Sequence, residues 1–298
     1  HAHAYLQLER ALTNELREFV AAEWGYQQQL LPSVGVPLSF GTGVATAEQV
    51  YAAAMSRPFQ GRLLSEWASG IEAQRMTRIR DAVRIGYVEN ESVQQIVRRV
   101  RGTRAAGYTD GLIEIDRRHA EAVVRTAVQH VAAVAQDRMI EANLDLIKSV
   151  QWHAKLDLRT SPTCRVRDGL LYTPDTHKPI GHKVPWLSGP GRSHWNCRSL
   201  AVQMLKSFEE VTGIAGVGEI PVGARASMDG ALPADLTYGQ WLQKQSAARQ
   251  DEVVGPTRGA LMREGKLPFD ELYSRRGEML TLDQLRERNG AAFKRAGV

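Results

Sequence analysis

At Val150 the spacing of apolar residues changes, and that change decides what the chain can fold into. From there Val150, Trp152, Ala154, Leu156 and Leu158 alternate with Gln151, His153, Lys155, Asp157 and Arg159. An apolar side chain at every second position marks a strand with one buried and one wet face. Upstream, the period is helical. Leu6, Leu8, Leu12, Leu16, Phe19, Val20 and Trp24 predict an amphipathic helix from Ala4 to Leu31, followed by a breaker-rich connector from Pro32 to Gly43. Thr46 reads as the cap of a helix reaching Ser56, and a further helix is expected from Leu63 to Arg84. Asn90 or Ser92 starts the next, with Val93, Ile96, Val97 and Val100 as its apolar stripe and Gly102 as its stop. The longest helix is expected from Asp116 to Ile147, with Val123, Val124, Ala127, Val128, Val131, Val134, Ala135, Met139 and Ile140 forming a wide buried face.

Downstream of the first strand, Asp168-Gly169 predicts a turn into a short second strand, Leu170 to Tyr172. Leu200, Val202 and Met204 give a weaker third. Between them Thr173 to Ser193, with Pro174, Pro179, Pro185 and Pro190, is long and irregular, and a loop of that length is usually functional or pinned. A Gly- and Pro-containing link from Gly213 to Pro233 leads to a helical tail, whose capped starts lie at Leu236–Leu242 and Leu280–Leu285. The expected fold is therefore mainly α with a small β-containing module (α+β): an irregular helical bundle, a short antiparallel sheet with a long pinned loop, and a helical tail. The expected parts are an N-terminal helix and linker over 1–45, a helical domain over 46–148, an α+β module over 149–208, and a linker with helical tail over 209–298.

A chain of 298 residues that is 43% hydrophobic can bury a real core. It has no run approaching the ~20 apolar residues of a membrane helix, since its most apolar stretch, Ala120 to Met139, is broken by Glu121, Arg125, His130, Asp137 and Arg138. The opening His1-Ala2-His3-Ala4 lacks a basic region followed by an apolar one, so no secretory signal is expected, and a start on His rather than Met points to a trimmed N-terminus. Net charge is +5, and lysine is absent before Lys148, so arginine supplies the basic charge of the helical half. Between Arg75 and Arg104 stand eight arginines (75, 78, 80, 84, 98, 99, 101 and 104) against Asp81, Glu89 and Glu91. Guanidinium groups bind phosphate and carboxylate through two hydrogen bonds at once, so Arg75, Arg78, Arg84, Arg98, Arg99, Arg101 and Arg104 are candidates for contact with DNA or an acidic protein. A solvated helix face is the plainer reading of the same run.

Both cysteines, Cys164 and Cys197, fall in the β-containing stretch, with His194 three residues before the second. Thiolate and imidazole suit zinc, and Cys164, His194, Cys197 and Asp157 make a candidate ligand set, with His153, His177 or His182 as other sources of the fourth donor. A structural zinc site, a metal-free buried thiol pair and a disulfide all fit this spacing, because no Cys-x-x-Cys knuckle singles out the first. A disulfide would be unexpected in a reducing cytoplasm. Asp157 and Arg159 read as an ion pair fixing the turn into Pro162, and less readily as a catalytic base with a phosphate grip. No phosphate-binding glycine loop, Gly-x-Ser-x-Gly elbow or His-Glu-x-x-His helix is present. Trp152 reads as a packing anchor.

The order and spacing of Trp152, Asp157, Arg159, Thr160, Cys164, Asp168, Gly169, Pro190, His194, Cys197 and Arg198 resemble the signature block of phage head-morphogenesis proteins, the minor head proteins grouped with the F protein of phage Mu. The chain departs from that pattern at Ser199, where many relatives carry a further cysteine. Ser56-Arg57-Pro58-Phe59-Gln60-Gly61 is similar to the family's upstream region, and the capped helices of the tail resemble the extension often appended to it. The resemblance implies a non-enzymatic component of the virion, inside the capsid near the portal vertex and in the host cytoplasm during assembly. It also implies the portal protein or major capsid protein and packaged double-stranded DNA as partners, no membrane, and roles in head assembly and DNA delivery. In that setting Trp152, Arg159 and Arg198 are structural. Two other readings are a toxin-like transferase or hydrolase built on the same module, using Asp157, Arg159 and His194, and a zinc-dependent nucleic-acid-binding module.

Overall fold

A computed structural model describes residues 2–33, 46–58, 61–63, 66–67, 70, 74, 77–79, 81–85, 89, 91, 93–207, 210 and 223–298. Of the helix expected from Leu63 to Arg84, residues 66–67, 70, 74, 77–79 and 81–84 are described and are helical, and the others except Leu63 lie outside the described residues. Two units divide the chain: one is His1–Leu30, Val44–Ala135 and His194–Asn196, the other Leu31–Gly43, Gln136–Ser193 and Cys197–Val298.

The first unit is helical. Helix α1 (Ala2–Ser33) buries Leu16, Val20 and Trp24, whose four-residue spacing puts them on one face. Helix α2 (Ala47–Ser56) opens with a reciprocal cap: the Thr46 hydroxyl accepts from the Gln49 backbone N–H, and the Gln49 side chain accepts from that of Thr46. Arg17 reaches Glu48 at 3.6 Å and lies over the Tyr51 ring, which ties α1 to α2. Helix α3 (Val93–Arg101) ends at Gly102 as expected. Its stripe is only partly covered, because Val97 is 50% exposed. Helix α4 (Leu112–Ala142) buries Val123, Ala127, Val131 and Val134, and His130 Nε2 lies 3.0 Å from the Ala54 carbonyl.

The second unit holds the sheet. Helix α4 stops five residues before the expected Ile147, and that residue instead heads strand β1 (Ile147–His153). Asn143 ends the helix by turning its amide back onto the Met139 carbonyl, at 2.8 Å, while its own carbonyl accepts from Leu146 and Ile147. Strands β2 (Leu171–Tyr172) and β4 (Leu200–Leu205) flank β1, and β3 (Pro179–Ile180) extends the antiparallel sheet to the order β3-β2-β1-β4. Trp152 pairs with Ala201, and Val150 lies between Gln203 and Tyr172.

The first strand is shorter than its alternation predicts. At Ala154 the chain leaves the ladder, because the Asp168 carboxylate takes the Ala154 N–H at 2.6 Å and Arg225 takes its carbonyl. Leu156, still fully buried, then faces a different core. That core is formed with the tail: a hairpin of β5 (Ala224–Ser227) and β6 (Gly230–Pro233), then α6 (Tyr238–Gln243), α7 (Ala247–Val254), α8 (Pro256–Arg263), a 3-10 turn (Phe269–Leu272) and α9 (Leu282–Ala296). Trp241, Leu242, Leu261, Leu272 and Leu285 join Leu156 in it. The hairpin falls where the sequence predicts only a link. The caps expected near Leu236 and Leu280 are both present, as reciprocal boxes on Thr237 and Thr281.

Candidate functional site

The two sulfurs meet in the core of the sheet. Ser161 caps a one-turn helix, α5 (Pro162–Arg165), by accepting from the Cys164 N–H, and Pro162 occupies its first turn. This places Cys164 among Val150, Trp152, Tyr172, Trp186 and Cys197, with the two cysteines 1% and 0% exposed. Their Sγ atoms stand 3.6 Å apart as thiols. The hydrogen bond to Cys197, followed by burial, pushes the Cys164 thiol far above its ordinary range. His194, the other donor named from sequence, belongs to the first unit and is half-buried. Its Nδ1 lies 2.9 Å from the Trp195 carbonyl, which accepts the proton that nitrogen carries.

Asp157, the fourth ligand named from sequence, does not join this group. Arg198 grips both of its oxygens, at 2.5 and 2.8 Å, while the Thr160 hydroxyl and the Arg159 backbone N–H donate at 3.1 and 3.0 Å. Burial alone would raise this carboxyl, but the Arg198 charge and these donors outweigh it and hold it below its usual range. The expected Asp157–Arg159 ion pair is replaced by Asp157–Arg198. The reason is the early end of β1: once residues 154–159 leave the ladder, positions two apart no longer share a face, and the Arg159 side chain is exposed. The other candidate donors are also occupied. His153 lies 2.6 Å from the Gln151 side chain, His182 2.9 Å from the Leu171 carbonyl, and His177 stacks on Trp186 with ring centroids 4.5 Å apart.

The expected pinned loop is pinned chiefly by rings and an arginine. Trp186 contacts Trp152 and Tyr172 edge-on at 5.3 and 4.8 Å, and Arg167, 2% exposed, bonds the Pro185 and Thr163 carbonyls. Asp137 takes Arg192 at 2.7 Å. Among the loop's glycines, Gly189 has a φ of +89°, and a Cβ there would meet Trp186 Nε1 at 2.7 Å.

Sequence reasoning missed the role of a second carboxylate that, like Asp157, accepts four hydrogen bonds. Asp168 accepts from the backbone of Ala154 and Tyr238, both at 2.6 Å, and from both terminal nitrogens of Arg225, at 2.8 and 3.0 Å. Side-chain exposure is 0% for Asp168 and 8% for Arg225, so this is a buried ion pair joining the sheet to the tail. Its sequence signal was the Asp168-Gly169 turn, in which Gly169 adopts a φ of +82°. Arg165 makes a second link, donating to the Val253 and Leu158 carbonyls. Burial, with Arg225 next, lowers the His153 imidazole to about 4.

The arginine candidates belong to the first unit. Arg75 lies outside the described residues. Arg78 lies 3.3 Å from His119, Arg99 pairs with Glu89 and Glu91, and Arg101 lies over the Tyr108 ring. Arg84, Arg98, Arg101 and Arg104 are exposed. No helix among the described residues is long and apolar enough to cross a membrane.

This is a mainly helical chain with a four-stranded sheet, and the block of Trp, Asp, Cys, His and Arg lies in and around that sheet. Residues 74–202 match the family described as Phage Mu protein F like protein. No curated protein and no solved structure matches the chain at a significant level.

Proposed function

We propose that the chain is a non-enzymatic minor head protein of a tailed phage, internal to the capsid. In this reading it docks on the portal protein or major capsid protein, lies against packaged double-stranded DNA, and serves head assembly and DNA delivery. The observation that carries the reading is the family match over residues 74–202, which runs from the arginine-bearing helices through the sulfur-centred sheet. Arg98, Arg101 and Arg104, at the end of α3 and just beyond it, are the side chains suited to phosphate or to an acidic partner surface. Asp157 supports a structural role for the sheet module, since the carboxylate a hydrolase or transferase would use as a base already accepts from four donor groups.

Binding of the full chain to duplex DNA across a salt series tests the DNA contact. Log affinity should fall linearly with log salt, with a slope of about −0.9 per phosphate neutralised. A flat profile, or no binding at about 50 mM salt, refutes that contact. Co-purification with the portal ring tests docking separately, and an intact particle lacking the chain would refute the virion assignment.

A further inference from the structure

We propose that Cys164 and Cys197 are a site of oxidative cross-linking, held as thiols until a peroxide joins them as a disulfide. Both lie in the second unit, and the inference does not depend on the role in the virion. They are the chain's two cysteines, and their Sγ atoms stand 3.6 Å apart with the residues 1% and 0% exposed. A disulfide needs a separation of about 2.05 Å, so each sulfur has about 0.8 Å to travel, and rotation about the Cα–Cβ bonds moves sulfur on that scale. The surroundings favour this product over the other oxidised forms of cysteine. Sulfinic and sulfonic acids would bring charge, and a mixed disulfide would bring bulk, into a core of Val150, Trp152, Tyr172 and Trp186. A disulfide adds neither atoms nor charge.

The step balances with hydrogen peroxide as the oxidant. One cysteine sulfur attacks a peroxide oxygen, the O–O bond breaks, and the departing hydroxide takes the thiol proton, leaving a sulfenic acid and water. The second sulfur then attacks the sulfenic sulfur. The S–S bond forms, the S–O bond breaks, and the leaving hydroxide takes the second thiol proton as water. Each sulfur loses one electron and each peroxide oxygen gains one. Cys164 is placed to start: Arg167, bonded to the Thr163 carbonyl at 2.7 Å and lying over the Trp152 ring at 5.7 Å, sets its positive charge beside it. The hydrogen bond between the sulfurs opposes this by retaining the proton, so closure should speed up as pH rises. The link would join segments 33 residues apart, tying α5 to the residue that leads into β4 and closing a loop that carries β2 and β3. Such a closed loop constrains the unfolded chain and raises stability.

The test uses the full chain, purified with reductant, freed of it by gel filtration and exposed to hydrogen peroxide. Alkylation after denaturation, followed by peptide mapping, should find the Cys164 and Cys197 peptides joined, at a mass two hydrogens below the sum of the separate peptides. The melting temperature should rise by roughly 4–16 °C and fall back on reduction with dithiothreitol. Cys197→Ser should show neither the joined peptides nor the rise. That variant could fail to fold, so the unmodified chain decides the matter. Folded wild-type protein whose two cysteines stay open to alkylation after peroxide, or carry added oxygen in place of the link, overturns the proposal. So does a bond formed between the cysteines of different chains.

Discussion

Replacing Asp168 with Asn changes one atom of a fully buried carboxylate in the second unit, and its effect can be worked out donor by donor. Oδ1 accepts from Ala154 N and Arg225 Nη2, and Oδ2 from Tyr238 N and Arg225 Nη1. Whichever way the new amide turns, its NH₂ meets two donors and accepts from neither. Arg225, 8% exposed, also loses its counter-charge. Removing one partner of a buried pair costs about 3–5 kcal/mol. At about 2–4 °C per kcal/mol for a unit of this size, Asp168→Asn should lower the melting temperature by roughly 6–20 °C. Thermal unfolding followed by tryptophan fluorescence reads this directly, because Trp152 and Trp241 lie in the two cores the pair connects. Asp168→Leu with Arg225→Met should recover only part of the loss: no charge is stranded, but the Ala154 and Tyr238 N–H groups still lack their acceptor. A shift below about 2 °C for Asp168→Asn would refute the idea that this pair holds sheet and tail together.

Stability should depend on pH in two separate windows. His153 is lowered to about 4, so it stays neutral in the fold; stability should decline as pH falls from about 6.5 toward 4, and His153→Gln should flatten that part of the curve. Asp157 is held below its usual range, so its contribution is complete above about 4 and is lost on further acidification; Arg198→Ala should weaken that lower step, and an unchanged profile would contradict the pairing. Gly169→Ala forces a side chain into a φ of +82° and brings its Cβ to 2.9 Å from Thr237 Cγ2, so urea unfolding should show a loss of about 1–2 kcal/mol. Thr281→Ala removes the cap of α9 and should cost about 1 kcal/mol in the same assay, with no change in DNA binding. Exchanging Arg98, Arg101 and Arg104 for alanine should make the salt slope of DNA binding shallower by about one for each phosphate no longer neutralised.

Features encoded within a few residues were legible before any coordinates. Thr46, Thr237 and Thr281 each stand three residues before a glutamine, and all three form reciprocal caps. The alternation from Val150 marked a strand, and the fold class of helices with one small antiparallel sheet followed from it. What local spacing could not show was which of those alternating residues stay in the ladder. Leu156 and Trp152 carry the same pattern in the sequence, yet one belongs to the core of the tail and the other to the core of the sheet. The boundary between them is drawn by Asp168 and Arg225, 57 residues apart, whose side chains capture the Ala154 backbone. The same holds for Asp157, whose nearest arginine in sequence is Arg159 but whose partner is Arg198, 41 residues away. Hairpin β5–β6 carries no comparable signature, because its strands bury little of their own and present exposed Ala224, Ala226 and Ala231. Its place depends on Arg225 reaching Asp168, an interaction without local periodicity. Long-range arginine–carboxylate pairs thus set where the strand ends and where the tail attaches, while the apolar pattern decides only that a strand and a tail exist. Substitutions at Asp168 and Arg225 should therefore loosen the tail while leaving the pairing of β1 with β4 in place, a distinction hydrogen exchange at Val150 and Trp152 against Leu242 and Leu261 would resolve.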